Sequence, residues 1–188
     1  MLDLIKLVFA KIIIVSLLAT PFGVYAAGIT FTNFKLIGDV PKYKVLTGVD
    51  FDLTNYLQNA LENGVALKAR VQFRLIVDRG WWFNKESTLL TVHYQLKYHA
   101  LSQHYLLTRN DINEHWNFSN LSAALRKLSE LRQYHLPDIF LPFDDNNNYS
   151  ILAVADMEPE TLRLPLRVQS FFSNKYRLSS EGVLWPLR

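Results

Sequence analysis

The sequence predicts a mainly β protein, an antiparallel β-sandwich of about seven or eight strands with two short α-helices packed at an edge or end. Three observations carry this prediction. Two long segments in the middle of the chain alternate apolar and polar residues with a period of two. Shorter segments of the same character flank them on both sides, and only two stretches show helical spacing. Alternation with one wet face excludes a parallel, doubly wound sheet, whose strands are buried on both faces.

Each element has its own justification. "ITFTNFKLIG" (29–38) places Ile29, Phe31 and Asn33 on one face and Phe34 and Leu36 on the other. "YKVLTGVDFDL" (43–53) puts Val45, Thr47, Val49, Phe51 and Leu53 on one face, and Pro41 marks the turn between the two segments. "TNYLQNALENG" (54–64) reads as a helix capped by Thr54, with Leu57, Ala60 and Leu61 as its apolar stripe and Gly64 as its left-handed ending. In "ALKARVQFRLIVDRG" Leu67, Ala69, Val71, Phe73, Leu75 and Val77 alternate with polar residues, and only Ile76 breaks the polar side. In "STLLTVHYQLKYHAL" Leu90, Val92, Tyr94, Leu96 and Tyr98 do the same. Roughly ten residues separate these two strands, which suits an antiparallel hairpin with Trp81 and Trp82 near its tip. "HYLLTR" (104–109) continues the meander.

The second helix lies in "NFSNLSAALRKLSELRQY" (117–134), about 12 residues long, with Ser119 as its cap and Leu121, Leu125, Leu128 and Leu131 on one side. "HLPDIFLPFDDNNNYS" reads as a surface loop. Three strand candidates close the chain: 149–157, 162–172 and 176–187. Pro165 makes the middle one an edge strand or delays its start.

The chain has 188 residues, the length of one domain behind a targeting segment. Its net charge is +3, and its basic residues stand singly (Lys68, Arg70, Arg74, Arg79), which argues against a nucleic-acid partner. Cysteine is absent from the sequence, so disulfides, thiolate metal sites, a cysteine nucleophile and a lipidated N-terminal cysteine are excluded.

The first residues predict export. Lys6 and Lys11 precede the apolar run Ile12–Leu18, Pro21 and Gly23 follow, and Val24-Tyr25-Ala26 suits a signal peptidase. Residues 1–26 therefore read as a signal peptide cut between Ala26 and Ala27, and 27–188 as a single β-rich exported domain. The uncharged stretch Ile12–Ala27 falls short of the about 20 residues a bilayer span needs. An uncut inner-membrane anchor, with Lys11 reaching toward the interface, is the alternative.

Several pieces occur together: "L-x-N-G-V-x-L" at the end of the first helix, an arginine before "WW", "YQLKYHALSQHYLL", "LSAALRKLSEL", "LPLRV" and "YRLSSEGVLWPL". In this order they resemble the family built on domain of unknown function 4390, small exported proteins of Gram-negative bacteria. The resemblance spans about residues 28–187 and implies export, a bacterial origin and one β-rich domain. It implies no activity. Tyr176 stands where the family often has tryptophan.

Catalytic chemistry finds little purchase. His93 and His99 share a strand face but are separated by about 20 Å of rise, too far for one metal ion. His104 can approach His99 across a turn, yet Glu86 and Asp111 are the nearest acids in sequence. There is no HExxH spacing and no G-x-S-x-G elbow. "LSSEG" (178–182) reads as a turn or β-bulge. Asp144 and Asp145 sit in an asparagine-rich loop that lacks the spaced ligands of a calcium site. Asp156, Glu158 and Glu160 form a second acidic group, with nothing local to make them converge. Three N-x-S sequences, at Asn117, Asn120 and Asn148, read as capping chemistry and chance rather than glycosylation.

The aromatic tip remains. Trp81, Trp82 and Phe83, with Arg79 and Lys85 as rim charges, have the composition of an anchor that enters a partner's pocket or a membrane interface. Cover for the end of the sandwich is the structural alternative. The expectation is a non-catalytic module that binds another envelope protein, without a metal or other cofactor. Two further possibilities are a carrier of an apolar ligand or lipid, in a cavity lined by Leu57, Leu61, Phe73, Leu125 and Leu128, and, with less support, an enzyme.

Overall fold

The computed structural model describes residues 28–79, 83–139, 148–160 and 177–187. The predicted signal peptide with Ala26 and Ala27, the strand candidate 162–172 and Asp144–Asp145 lie outside these residues. The described chain is mainly β and forms two antiparallel sheets. One has three strands in the order β1 (Ile29–Asp39), β2 (Lys42–Phe51) and β7 (Arg132–His135). The other has the order β10 (Val183–Pro186), β8 (Asn148–Pro159), β3 (Leu67–Asp78), β4 (Lys85–His99), β5 (His104–Arg109) and β6 (Glu114–Phe118). A two-residue strand, β9 (Leu178–Ser179), also pairs with β8.

The period of two explains the inner face of each sheet. β2 turns Tyr43, Val45, Thr47, Val49 and Phe51 inward. β3 turns in Leu67, Ala69, Val71 and Phe73, and β4 turns in Val92, Tyr94 and Leu96. β8 answers β3 with small side chains, Ala153 opposite Phe73 and Ala155 opposite Val71, so large and small volumes alternate across the pair. The two sheets meet where the Phe73 and Tyr134 rings pack with centroids 5.1 Å apart. Ile76, the exception to the alternation, is itself buried, outside this main cluster.

Both helices are present. α1 (Asn55–Glu62) begins at Thr54, whose hydroxyl accepts the Leu57 N–H at 3.2 Å. It ends with Gly64 N–H bonded to the Leu61 carbonyl and Val65 N–H to the Ala60 carbonyl, with Gly64 at φ +85°. Leu57 and Leu61 are buried, and the helix packs on β4 and β8. α2 (Leu121–Leu128) is shorter than its leucine spacing predicts. Its cap is Asn120, whose Oδ1 accepts the Ala123 N–H at 2.8 Å, and not Ser119. Leu131 falls beyond the helix and is 52 % exposed, because the chain turns there to enter β7.

Three strand readings are corrected by backbone irregularities or distant pairing. In β1 two residues, Asn33 and Phe34, oppose one residue of β2, and Asn33 takes φ +53°. This bulge shifts the parity, so Phe34 and Leu36 join Ile29 and Phe31 against the core and Asn33 is exposed. The segment 176–187 divides into β9 and β10 around Ser180-Glu181-Gly182, again a bulge against β8. There Ser180 Oγ accepts the Ala155 N–H at 2.9 Å and Gly182 adopts φ +85°. β7, most of which falls in the stretch 117–134 that reads as helix, is recruited by β2, with Tyr134 opposite Val45.

Candidate functional site

Cross-strand register places the β3–β4 hairpin tip. Pro186 stands opposite Ser150, Ser150 opposite Ile76, and Ile76 opposite Glu86. The end of β10 and the hairpin tip therefore lie at one end of the molecule, about 14 Å apart across three strand spacings. The turn between β1 and β2 is at the same end, since Gly38, Asp39 and Tyr43 line a groove of about 600 Å³ together with Leu184, Trp185 and Pro186. The last paired residues of the hairpin are Val77, where the predicted alternation also ends, and Lys85, so the second strand starts closer to the tip than the alternation predicts.

Of the predicted tip residues, Arg79 and Phe83 are described, and Trp81 and Trp82 lie outside the described residues. Arg79 is exposed, and Phe83 is 95 % exposed. Four more large apolar side chains at this end, Ile37, Val40, Leu184 and Trp185, are between 36 % and 58 % exposed. The Trp185 ring leans on Phe34 of β1 at 5.8 Å, which joins the edges of the two sheets. The tip was legible as a run of aromatics. The contribution of Ile37, Val40, Leu184 and Trp185 was not, because 150 residues of chain separate its two halves and only the fold brings them to one end.

The outer face of the larger sheet carries a second assembly. Arg70 donates from Nε and Nη2 to the two carboxylate oxygens of Asp156 at 2.8 and 2.7 Å. Arg177 reaches the same carboxylate at 3.5 Å. Lys68 Nζ is 3.0 Å from Glu160, which also accepts from Gln95 Nε2 at 2.7 Å. Lys68 holds the Glu160 carboxyl below its ordinary value by hydrogen bonding and charge, and partial burial opposes this. Asp156, Glu158 and Glu160, three acids without local convergence in the sequence, thus share one face of β8, where basic residues of β3 and Arg177 meet them. A groove of about 250 Å³ follows this face past His93 and Asn110. These ion pairs fasten β8, β3 and the start of β9 to one another.

His93 is exposed, and His99 stands directly opposite His104 across β4 and β5. Among the described residues no group of three or more His, Asp or Glu side chains could hold a metal ion. Leu57, Leu61, Phe73 and Leu128 belong to the main core, with Leu125 partly buried against it, and the grooves described here are lined by other side chains.

A last cluster lies under α2. The Arg132 guanidinium sits 5.5 Å from the Tyr94 ring centre and 5.3 Å from that of Trp116, and Lys127 stands 5.3 Å from Trp116. Arg132 also donates to the Lys127 carbonyl at 2.8 Å, while its buried Nε has no hydrogen-bond partner among the described residues. The Tyr134 and Tyr94 hydroxyls are 3.4 Å apart. Burial pushes the Tyr134 hydroxyl far above its ordinary value, with Tyr94 adding to the shift and Arg132 and Arg109 opposing it. Tyr134 therefore stays neutral, as the middle of a core requires.

Fold and surface define a β-sandwich-like domain with an apolar end and a charge-paired outer face. The chain matches the family model described as "Domain of unknown function (DUF4390)" over residues 26–186, and it belongs to that family. No curated protein and no solved structure matches it. No helix among the described residues is long and apolar enough to cross a membrane.

Proposed function

We infer that this domain is a non-catalytic protein-binding module of the cell envelope. Residues 1–26 direct its export. It works in the periplasm after cleavage between Ala26 and Ala27, or tethered to the inner membrane where that segment is kept. Its partner is another envelope protein, docked at the end of the sandwich that carries Arg79 and Phe83. The observation that supports this reading best is Phe83, 95 % exposed at the same end as Ile37, Val40, Leu184 and Trp185. Burying one such ring contributes roughly 2 kcal/mol, which a fitted partner pocket recovers and water does not. The packing of Leu57, Leu61, Phe73 and Leu128 inside the core favours this reading over a lipid carrier.

The test is photo-cross-linking of the full chain in envelope extract, comparing wild type with the Trp81→Ala, Trp82→Ala, Phe83→Ala variant. The expected result is one discrete cross-linked species that the variant loses, with the melting temperature moving by no more than about 2 °C. A species that persists in the variant overturns the reading, and so does a variant that melts much lower.

A further inference from the structure

We propose that the end of the domain opposite the aromatic tip rests on a lipid bilayer surface, that of the membrane keeping residues 1–26, and holds the tip out from it. This rests on the tethered form of the binding reading and adds a second surface to it. Position, composition and exposure select this end.

Position comes from where the chain enters the domain. The Gly28 carbonyl accepts the Asp52 N–H at 2.9 Å, and Ile29 pairs with Phe51, so the entry point is fixed against β2. The far end of β1, at Gly38 and Asp39, shares a groove with Leu184, Trp185 and Pro186 at the tip end. β3 runs between the two ends for twelve residues, about 40 Å. The uncharged stretch Ile12–Ala27 stops at Gly28 without a spacer. A bilayer that holds this stretch lies directly against the entry end, and the tip stands roughly 40 Å away from it.

Composition points the same way. Glu160, whose N–H bonds to the Ala66 carbonyl, and Arg177, paired with Asp156, also lie at the entry end. Residues 161–176 connect them with the sequence "TLRLPLRVQSFFSNKY", which holds three basic residues, Arg163, Arg167 and Lys175, and no acidic one. Basic and apolar residues without carboxylates are the chemistry that lipid headgroups accept.

Exposure supplies the contact. β4 passes Leu96, opposite the first residue of β3, and turns beyond it, which places Leu101 at the entry end, 95 % exposed. Tyr56 on α1 is 52 % exposed at this end as well. A leucine enters the acyl boundary, and a tyrosine settles among headgroups. The exposed carboxylates here, Asp50, Asp52, Glu62 and Glu181, outnumber the exposed Lys97 and the Glu160-paired Lys68. The folded surface itself is therefore not drawn by anionic lipid. The tether brings it to the bilayer, and Leu101 sets how it sits.

The test uses the full chain, purified and reconstituted in phosphatidylcholine vesicles with a minor share of phosphatidylglycerol and a nitroxide on the lipid headgroups. The sequence has no cysteine, so Asn59→Cys on α1 and Asn84→Cys at the tip each take a single fluorophore. The dye at 59 is expected to lose most of its emission to the nitroxide, and the dye at 84 to keep it. Leu101→Asp is expected to restore part of the emission at 59 with an unchanged melting temperature. Loss at 84 without loss at 59 overturns the proposal and the binding reading together, because the tip then occupies the bilayer. Equal loss at both positions, loss at neither, or a chain left in solution when the vesicles are pelleted overturns the proposal alone. Loss confined to 59 in a chain whose tip captures no cross-linked partner upholds the proposal while the binding reading fails.

Discussion

The sandwich treats its two lateral sides differently. On one side α2 packs on β2, β5 and β6 and closes the gap between the sheets. Leu128 and Ala124 are buried beneath it, and Arg132 is stacked between Tyr94 and Trp116. On the other side no helix intervenes among the described residues. The edges of β1 and β10 approach where Trp185 leans on Phe34, with a hollow on either side. There the strands are fastened from outside, by the Arg177–Asp156–Arg70 cluster that ties the start of β9 to β8 and β3. One side is covered by a helix, and the other is held by strand pairing, charge pairs and the contact of Phe34 with Trp185. A surface kept for a partner has to be the second kind, because burial that is complete within the chain leaves nothing for a partner to add.

The sharpest way to break this contrast is to truncate one residue on each side. Leu128→Ala is expected to cost about 3 kcal/mol, since it removes buried methyl groups and leaves a cavity. Trp185→Ala is expected to cost only about 1 kcal/mol, because a good part of that ring is already in water. Urea denaturation midpoints measure both. Equal losses would mean that the open side is as much a part of the core as the helical side.

A smaller effect sharpens the account of the open side. Asp156→Ala removes the carboxylate shared by two arginines and leaves Arg70 half-buried without its partner. About 1.5 kcal/mol is expected, between the values for exposed and fully buried pairs. Arg70→Met, Asp156→Ala together should recover part of it. A double variant no better than the sum of its parts would show that the pair is uncoupled.

The smallest effect is a pH dependence. Glu160 has a folded-state pKa below its ordinary value near 4.5, chiefly through its hydrogen bond to Lys68. Its contribution to stability is therefore complete above that ordinary value and is lost as pH falls through the lower folded value. The loss should be shallower in Lys68→Met, as read from denaturation midpoints between about pH 5 and pH 3. Identical slopes in the two proteins would remove Lys68 as the cause.

Reading the sequence alone worked where structure repeats a local rule. The alternation in 67–75 and 90–98 identified the inner faces of β3 and β4, since a half-buried strand has a period of two wherever it pairs. Past the register shift at Phe73/Arg74, Ile76 is buried in place of Val77. Thr54 and Gly64 bracketed α1 for an equally local reason, the unpaired backbone groups at a helix end. Gly182 and Ser180 marked a bulge within "LSSEG". Where a single residue shifts the pattern, periodicity misleads. Asn33 in a left-handed conformation moved Phe34 and Leu36 to the core face, and the helix is capped by Asn120 rather than by the predicted Ser119.

The sequence by itself determined the class of fold, the two helices and the apolar sides of the main strands, all of which depend on neighbours a few residues apart. Only the tertiary structure decided that β8 lies between β3 and β10, that a four-residue piece such as β7 becomes a strand, and that Ile37, Val40, Leu184 and Trp185 share one end with Phe83. Those outcomes depend on pairing between distant segments, where each strand competes for edges that exist only once the other strands are in place, so no local pattern contains them.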